Sequence, residues 1–163
     1  MAERRSVLGV LIGAATAGLA LVYAIPAAMY LRVKRTDTAL ESDLGPVDAL
    51  PDRVPVRLPV LAERADAWSR THDAVGSVFV VRTGNDVRAL DSACPHTGCS
   101  VDWDGQEGAF RCPCHRSTFS LAGARTGGPA QRGLDAQDVT VRGGRVILRY
   151  RRYRSGRSDR VPV

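Results

Sequence analysis

Two short boxes concentrate the residues of this chain that can hold a metal. Cys94-Pro95-His96-Thr97-Gly98-Cys99 is one; Cys112-Pro113-Cys114-His115-Arg116-Ser117-Thr118-Phe119 is the other. Between them they contain all four cysteines and two of the three histidines of a 163-residue protein. Thiolate and imidazole are the soft and borderline ligands of iron and zinc, so this crowding points to a metal. Cys94 and His96 form C-x-H, Cys112 and His115 form C-x-x-H, and Cys99 and Cys114 add one further thiol to each box. As bare residues, two cysteines and two histidines suit a closed tetrahedral zinc site as well as an iron site. Four cysteines allow three disulfide connectivities.

At matching offsets the two boxes resemble those of the Rieske iron–sulfur family, in particular its membrane-anchored branch in cytochrome bc-type complexes. That family holds a 2Fe–2S cluster with two cysteines on one iron and two histidines on the other. Box against box, the resemblance implies Cys94 and Cys112 as thiolate ligands and His96 and His115 as imidazole ligands. It implies a Cys99–Cys114 disulfide tying the two ligand loops together, and a Ser117 hydroxyl pointing at a bridging sulfide. Gly127-Gly128-Pro129-Ala130 resembles the proline loop that covers the third side of the cluster. Pro95, Gly98 and Pro113 suit tight ligand loops. Zinc would leave the paired extra cysteines and Ser117 without a role.

Three positions depart from the family pattern. Phe119 stands where many high-potential members have a tyrosine whose hydroxyl reaches a cysteine ligand, which implies a low-to-middle potential suited to menaquinol rather than ubiquinol. Arg116 replaces a usual glycine, which puts the local turn and the docking charge in question. Thr97 replaces a common leucine, which weakens apolar shielding at the quinol face.

Imidazole ligands leave the cluster less negative than thiolates would, and each ring keeps a second nitrogen that can carry a proton. The resemblance therefore implies an electron-transfer subunit that oxidises quinol, with electron and proton coupled at His96 or His115. A cytochrome b would hold the quinol and a c-type cytochrome, or an equivalent, would accept the electron. The subunit would not turn over alone. Two rival readings are the small Rieske subunit of an arsenite oxidase-like enzyme and a Rieske ferredoxin component of an oxygenase. Ferredoxins of that kind generally lack the disulfide cysteines and the anchor.

The rest of the chain must anchor and position these boxes. Net charge is +6, but only 6% of residues are aromatic and no basic run is interleaved with stacking residues, so nucleic acid is not the expected partner. From Val7 to Leu31 no residue is charged. At about 1.5 Å per residue that run reaches roughly 37 Å, enough to cross a bilayer. It is read as a retained transmembrane helix, kinked at Pro26, rather than a cleaved signal peptide. The Arg4-Arg5 pair ahead of it resembles a twin-arginine export signal. A structural disulfide belongs on the oxidising side of a membrane. The expectation is a single-pass protein of the bacterial plasma membrane, N-terminus cytoplasmic and head outside.

Three parts follow: an anchor over residues 1–35, a flexible acidic linker over 36–53, and a head over 54–163 with a cluster-binding part at about 92–131. The head reads as all-β, a small antiparallel sandwich with the ligand boxes inserted. Val54–Leu61 predicts an edge strand because of its prolines. Ser77–Arg82 with Asp86–Leu90, and Asp138–Arg142 with Arg145–Tyr150 across Gly143-Gly144, predict hairpins. Ala62–Asp73 is expected to be a short helix or loop. His72 is expected on the surface, and Trp68 and Trp103 in packing. The arginine-rich end from Arg149 to Arg160 is expected to be a solvated tail, with anionic lipid or an acidic subunit as the alternative contact.

Overall fold

The computed structural model describes residues 2–32, 39–65 and 68–163. The chain divides into two compact units, Met1–Thr36 and Asp37–Val163. The first is a single helix, α1 (Ala2–Arg32), continuous through Pro26. Its stretch Val7–Tyr30 is long and apolar enough to cross a membrane. The side chains of Arg4 and Arg5, and the basic residues Lys34 and Arg35, lie outside the described residues.

The second unit is built from ten strands: β1 (Leu40–Pro46), β2 (Val56–Ala65), β3 (Arg70–Thr83), β4 (Asp86–Asp91), β5 (Asp102–Asp104), β6 (Ala109–Arg111), β7 (Thr118–Ser120), β8 (Arg125–Gly127), β9 (Ala136–Arg142) and β10 (Arg145–Tyr150). Six of them pair in the order β1-β10-β9-β4-β3-β2, and β5-β6-β7-β8 form a second sheet. In the six-stranded sheet β4 meets β9 only at Ala89↔Gln137 and Leu90↔Ala136. This short seam lets two three-stranded halves close over one core, in which Val60, Val78, Val80 and Ala89 meet Val146, Leu148 and Tyr150.

The wall formed by β3 and β4 serves two cores. Side chains alternate along a strand, so Val78 and Val80 enter that first core while Phe79 enters a second one. Ala89 and Leu90 divide in the same way. A continuous apolar run such as Val78-Phe79-Val80-Val81 is what a strand covered on both faces requires. The second core joins Phe79 and Leu90 to Val101, Phe110, Phe119, Ala130, Leu134 and the two free cysteines, Cys94 and Cys112.

Both predicted hairpins are present, the second turning at Gly143 and Gly144 with φ of +56° and +74°. β2 is an edge strand, which suits the Pro59 within it. Four expectations need correction. Residues 40–46 of the expected linker are strand β1, paired with β10 from Leu40↔Tyr150 onward. Its acidic residues meet basic ones on the neighbouring strands: Asp43 accepts from Arg145 at 2.6 Å and Glu41 from Arg142 at 3.4 Å. The segment also packs on the head beyond the strand, with Leu50 buried and its carbonyl bound by Arg82 at 2.8 Å. Ala62–Asp73 continues the β2–β3 hairpin through pairs such as Glu63↔His72, residues 66–67 lying outside the described ones. Trp68 is 95% exposed rather than in a core, whereas Trp103 meets Phe110 edge-on, ring centroids 4.8 Å apart. Finally, the arginine-rich end folds back on the head, where Gln137 bonds both backbone groups of Arg151.

Candidate metal centre

Two loops carry the metal-binding residue types, one leaving β4 and one between β6 and β7. The first is closed at its base by an Ala93–Ser100 bridge and by the Val101 N–H donating to Ser92 O at 2.8 Å. Within it Cys94 N–H donates to Cys99 O at 2.7 Å, and Gly98 N–H returns to Cys94 O at 2.8 Å. The second loop repeats the pattern: Cys112 N–H donates to Ser117 O at 2.8 Å and Arg116 N–H returns to Cys112 O at 3.1 Å. Gly98 and Arg116 occupy equivalent places, and both take positive φ, +85° and +58°. The turn therefore survives the arginine, although a Cβ in the left-handed region costs about 1–2 kcal/mol.

The repeated turns bring Cys99 and Cys114 together as a disulfide, 6.6 Å between Cα atoms. Cys94 and Cys112 remain free and are 0% and 2% exposed. Burial pushes the Cys94 thiol above its ordinary range; Cys112 beside it adds to the rise, while the His96 N–H and the Ser117 hydroxyl oppose it. Cys112 also lies close to the disulfide sulfurs, all three within 4.8 Å, but the bonded pair is not available as ligand. The His96 and His115 rings stand edge to face, centroids 4.7 Å apart. His96 is half-buried and His115 exposed.

Ser117 is fully buried, and its Oγ accepts the Ala130 N–H at 3.1 Å. The Gly127–Ala130 loop approaches so closely that a Cβ on Gly128 would fall 2.4 Å from the Ser117 Cα. Only glycine allows that contact at φ +81°. Behind the sulfurs, Phe110 and Phe119 are fully buried and supply no polar atom. Thr97 is exposed, its hydroxyl 3.7 Å from Cys99 Sγ.

The arrangement fits a metal cluster. Two buried thiols lie in one core cluster, and among the described residues His96 Nδ1 is buried with no hydrogen-bond partner. A buried polar atom of that kind is costly unless something binds it, and a metal ion would. All the residues singled out in the two boxes thus gather at one tip. The sequence did not reveal that the chain's end also reaches this tip, through the Gly156 N–H bonded to Pro95 O at 2.7 Å. Nor did it reveal the buried Arg132–Asp135 pair beneath, 2.7 Å apart. The only signal was an opposite-charge pair three residues apart.

Comparison with known proteins gives a consistent result. The family profile described as "Rieske [2Fe-2S] domain" matches residues 44–140. The cytochrome b6-f complex iron-sulfur subunit of Chlorobaculum thiosulfatiphilum is 25% identical over 151 residues, 90% of this chain and 75% of that protein. The menaquinol:cytochrome c reductase iron-sulfur subunit of Geobacillus thermodenitrificans is 27% identical over 117 residues, 69% of this chain and 67% of that protein. The cytochrome b6-f complex iron-sulfur subunit of Synechococcus sp. (strain JA-3-3Ab) is 42% identical over 57 residues, covering 35% of this chain and only 33% of that relative's length.

Proposed function

Because this chain belongs to the Rieske [2Fe-2S] domain family, we propose that it is the iron–sulfur subunit of a quinol-oxidising bc-type complex. In this reading α1 anchors it in a bacterial plasma membrane, N-terminus in the cytoplasm and head outside. Cys94, Cys112, His96 and His115 hold its 2Fe–2S cluster. The observation that carries the ligand set is the unpartnered, buried His96 Nδ1 beside two free, buried thiols in loops clamped by a disulfide.

The cluster supplies a one-electron acceptor whose two imidazoles place it at about −150 to +300 mV, above all-cysteine plant-type clusters. The protein's own groups do the rest. Cys94 and Cys112 bind as thiolates; for Cys94, burial opposes loss of the proton while the His96 N–H and the Ser117 hydroxyl assist it. With Nδ1 as ligating atom, Nε2 of each ring stays free to hold a proton. His115, the exposed ring, is the one placed to take the proton of a quinol hydroxyl at Nε2. The disulfide and the Gly127–Ala130 loop restrain the ligand loops and limit access of water to the sulfurs.

Phe119 offers no hydroxyl to a cysteine ligand, which supports a lower potential and menaquinol as donor; the Geobacillus relative carries menaquinol in its name. A cytochrome b as quinol-binding partner and a c-type cytochrome as acceptor complete the reading. The test is purification of the full chain from membranes in mild detergent. A cytochrome b should accompany it, and added menaquinol should reduce its cluster, but not in His115→Ala. Copurification of a molybdenum subunit without cytochrome b would replace this reading with the arsenite oxidase-like one.

A further inference from the structure

Residues 151–163 carry Arg151, Arg152, Arg154, Arg157 and Arg160, yet they form a closed hairpin instead of a solvated tail. Arg154 N–H donates to Val161 O at 2.9 Å, Val163 N–H donates to Arg152 O at 3.0 Å, and Tyr153 bridges Pro162. Three side chains pin this hairpin to the head. Gln137 exchanges two hydrogen bonds with the backbone of Arg151, at 2.8 and 2.9 Å. Arg160 reaches Asp135 at 3.3 Å and also bonds the Ala136 carbonyl. The third is Arg132, whose side chain is 9% exposed. Its guanidinium grips Asp135 with two nitrogens, at 2.9 and 2.7 Å, and donates to the carbonyls of Arg157 at 2.6 Å and Arg154 at 3.0 Å. A guanidinium has five donors in a fixed fork and stays charged, so it can hold an anion and two carbonyls at once.

The carbonyls that Arg132 holds flank Ser155 and Gly156, and this turn touches the first ligand loop. Gly156, at φ +74°, donates its N–H to Pro95 O at 2.7 Å. A Cβ on Gly156 would lie 3.7 Å from His96 O, and one on Gly98 would lie 3.5 Å from Ser155 Oγ. The Pro95 carbonyl and the His96 N–H belong to the same peptide group, and because proline has no N–H, that of His96 is the first backbone donor after Cys94. The Gly156 N–H thus acts on the peptide that carries this donor. Hydrogen bonds in series polarise one another, by roughly 10–30% per bond.

We propose that the C-terminal hairpin tunes the first ligand loop, with Arg132 as the positioning residue that aims the Gly156 N–H at the Pro95 carbonyl. Through that peptide the hairpin polarises the His96 N–H, making it a stronger donor toward the Cys94 sulfur. This rests on Cys94 being a cluster thiolate. Drawing thiolate charge into a hydrogen bond favours the reduced, more negative cluster, so the hairpin raises the potential.

The test uses the full cluster-loaded chain in detergent, a chain ending at Arg152, and Arg132→Lys, which keeps the charge beside Asp135 but cannot span both carbonyls. Each variant should lower the reduction equilibrium constant three- to tenfold, about 28 to 59 mV for one electron, and change the paramagnetic spectrum of the reduced protein. Hydrogen exchange on cluster-free protein gives a second reading. Residues 94–99 should exchange at least tenfold faster in both variants while residues 112–117 keep their protection. An unchanged potential in both variants overturns the proposal, as does equal loosening of the two loops. If the shortened chain fails to fold, Arg132→Lys decides alone. Exchange that behaves as expected in a protein that never takes up a cluster would sink the ligand assignment and leave the hairpin's mechanical hold on the loop intact.

Discussion

At the scale of single residues, the site is set by which polar groups reach the sulfurs. Ser117 reaches Cys94, and Phe119 lies fully buried in the same core without a donor. Phe119→Tyr should restore a hydrogen bond to a cysteine ligand and raise the midpoint potential by on the order of 50 mV, read by redox titration. A potential that stays put would remove Phe119 from the account of the potential. Arg116 marks a different kind of departure. The sequence raised doubt about its turn, and the structure keeps the turn by holding Arg116 at φ +58°. Arg116→Gly should therefore stabilise the head by up to about 1 kcal/mol in denaturant unfolding, the strain relieved exceeding the entropy glycine adds. That the two boxes meet was legible because cysteine and histidine are rare in this chain and cluster at short offsets. The backbone strain was not legible, since no residue type announces its own φ.

Among the elements, the ligand loops are held from three directions: by the disulfide, by the Gly127–Ala130 loop and by the C-terminal hairpin. Gly128 is the tightest of these contacts. Gly128→Ala would push a methyl group into the Ser117 backbone at 2.4 Å and strain φ +81°, costing roughly 3 kcal/mol. We expect lower cluster content per chain, measured as iron and acid-labile sulfide, with the β1–β10 sheet intact by circular dichroism. Hairpins with two-residue glycine turns and alternating apolar strands were readable from the residue pattern, because turn chemistry and side-chain alternation are local properties. The strand β1 was not. Its acidic residues looked like a solvated linker, and its pairing with β10, a hundred residues away, is what makes it a sheet edge. The arginine-rich end failed for the same reason, because the groups that hold it to the head, Arg132, Asp135 and Gln137, lie some twenty residues earlier in the chain.

For the molecule as a whole, the Asp37–Val163 unit joins two cores through the β3–β4 wall, and a buried carboxyl sits where that wall meets the ligand loop and the chain's end. Burial, with Asp135 adding to it, pushes Asp91 up to about 6, against the opposing pull of the Ala93 N–H, Tyr150 and Arg152. The folded state therefore holds this proton more tightly than the unfolded chain. Asp91 contributes stability that is full below about pH 4 and is lost as pH rises through 6, about 3 kcal/mol in all. Asp91→Asn should gain on the parent protein by that amount between pH 4 and pH 7 in denaturant unfolding. A difference independent of pH would contradict the assignment. The central claim is that two thiolates and two imidazoles of this tip hold one 2Fe–2S cluster. Pulsed electron paramagnetic resonance of the reduced full chain tests it most directly. Nitrogen couplings from two imidazoles are expected, with one lost in His115→Ala; a spectrum without nitrogen coupling, or one that His115→Ala leaves unaltered, would rule out the imidazole ligands.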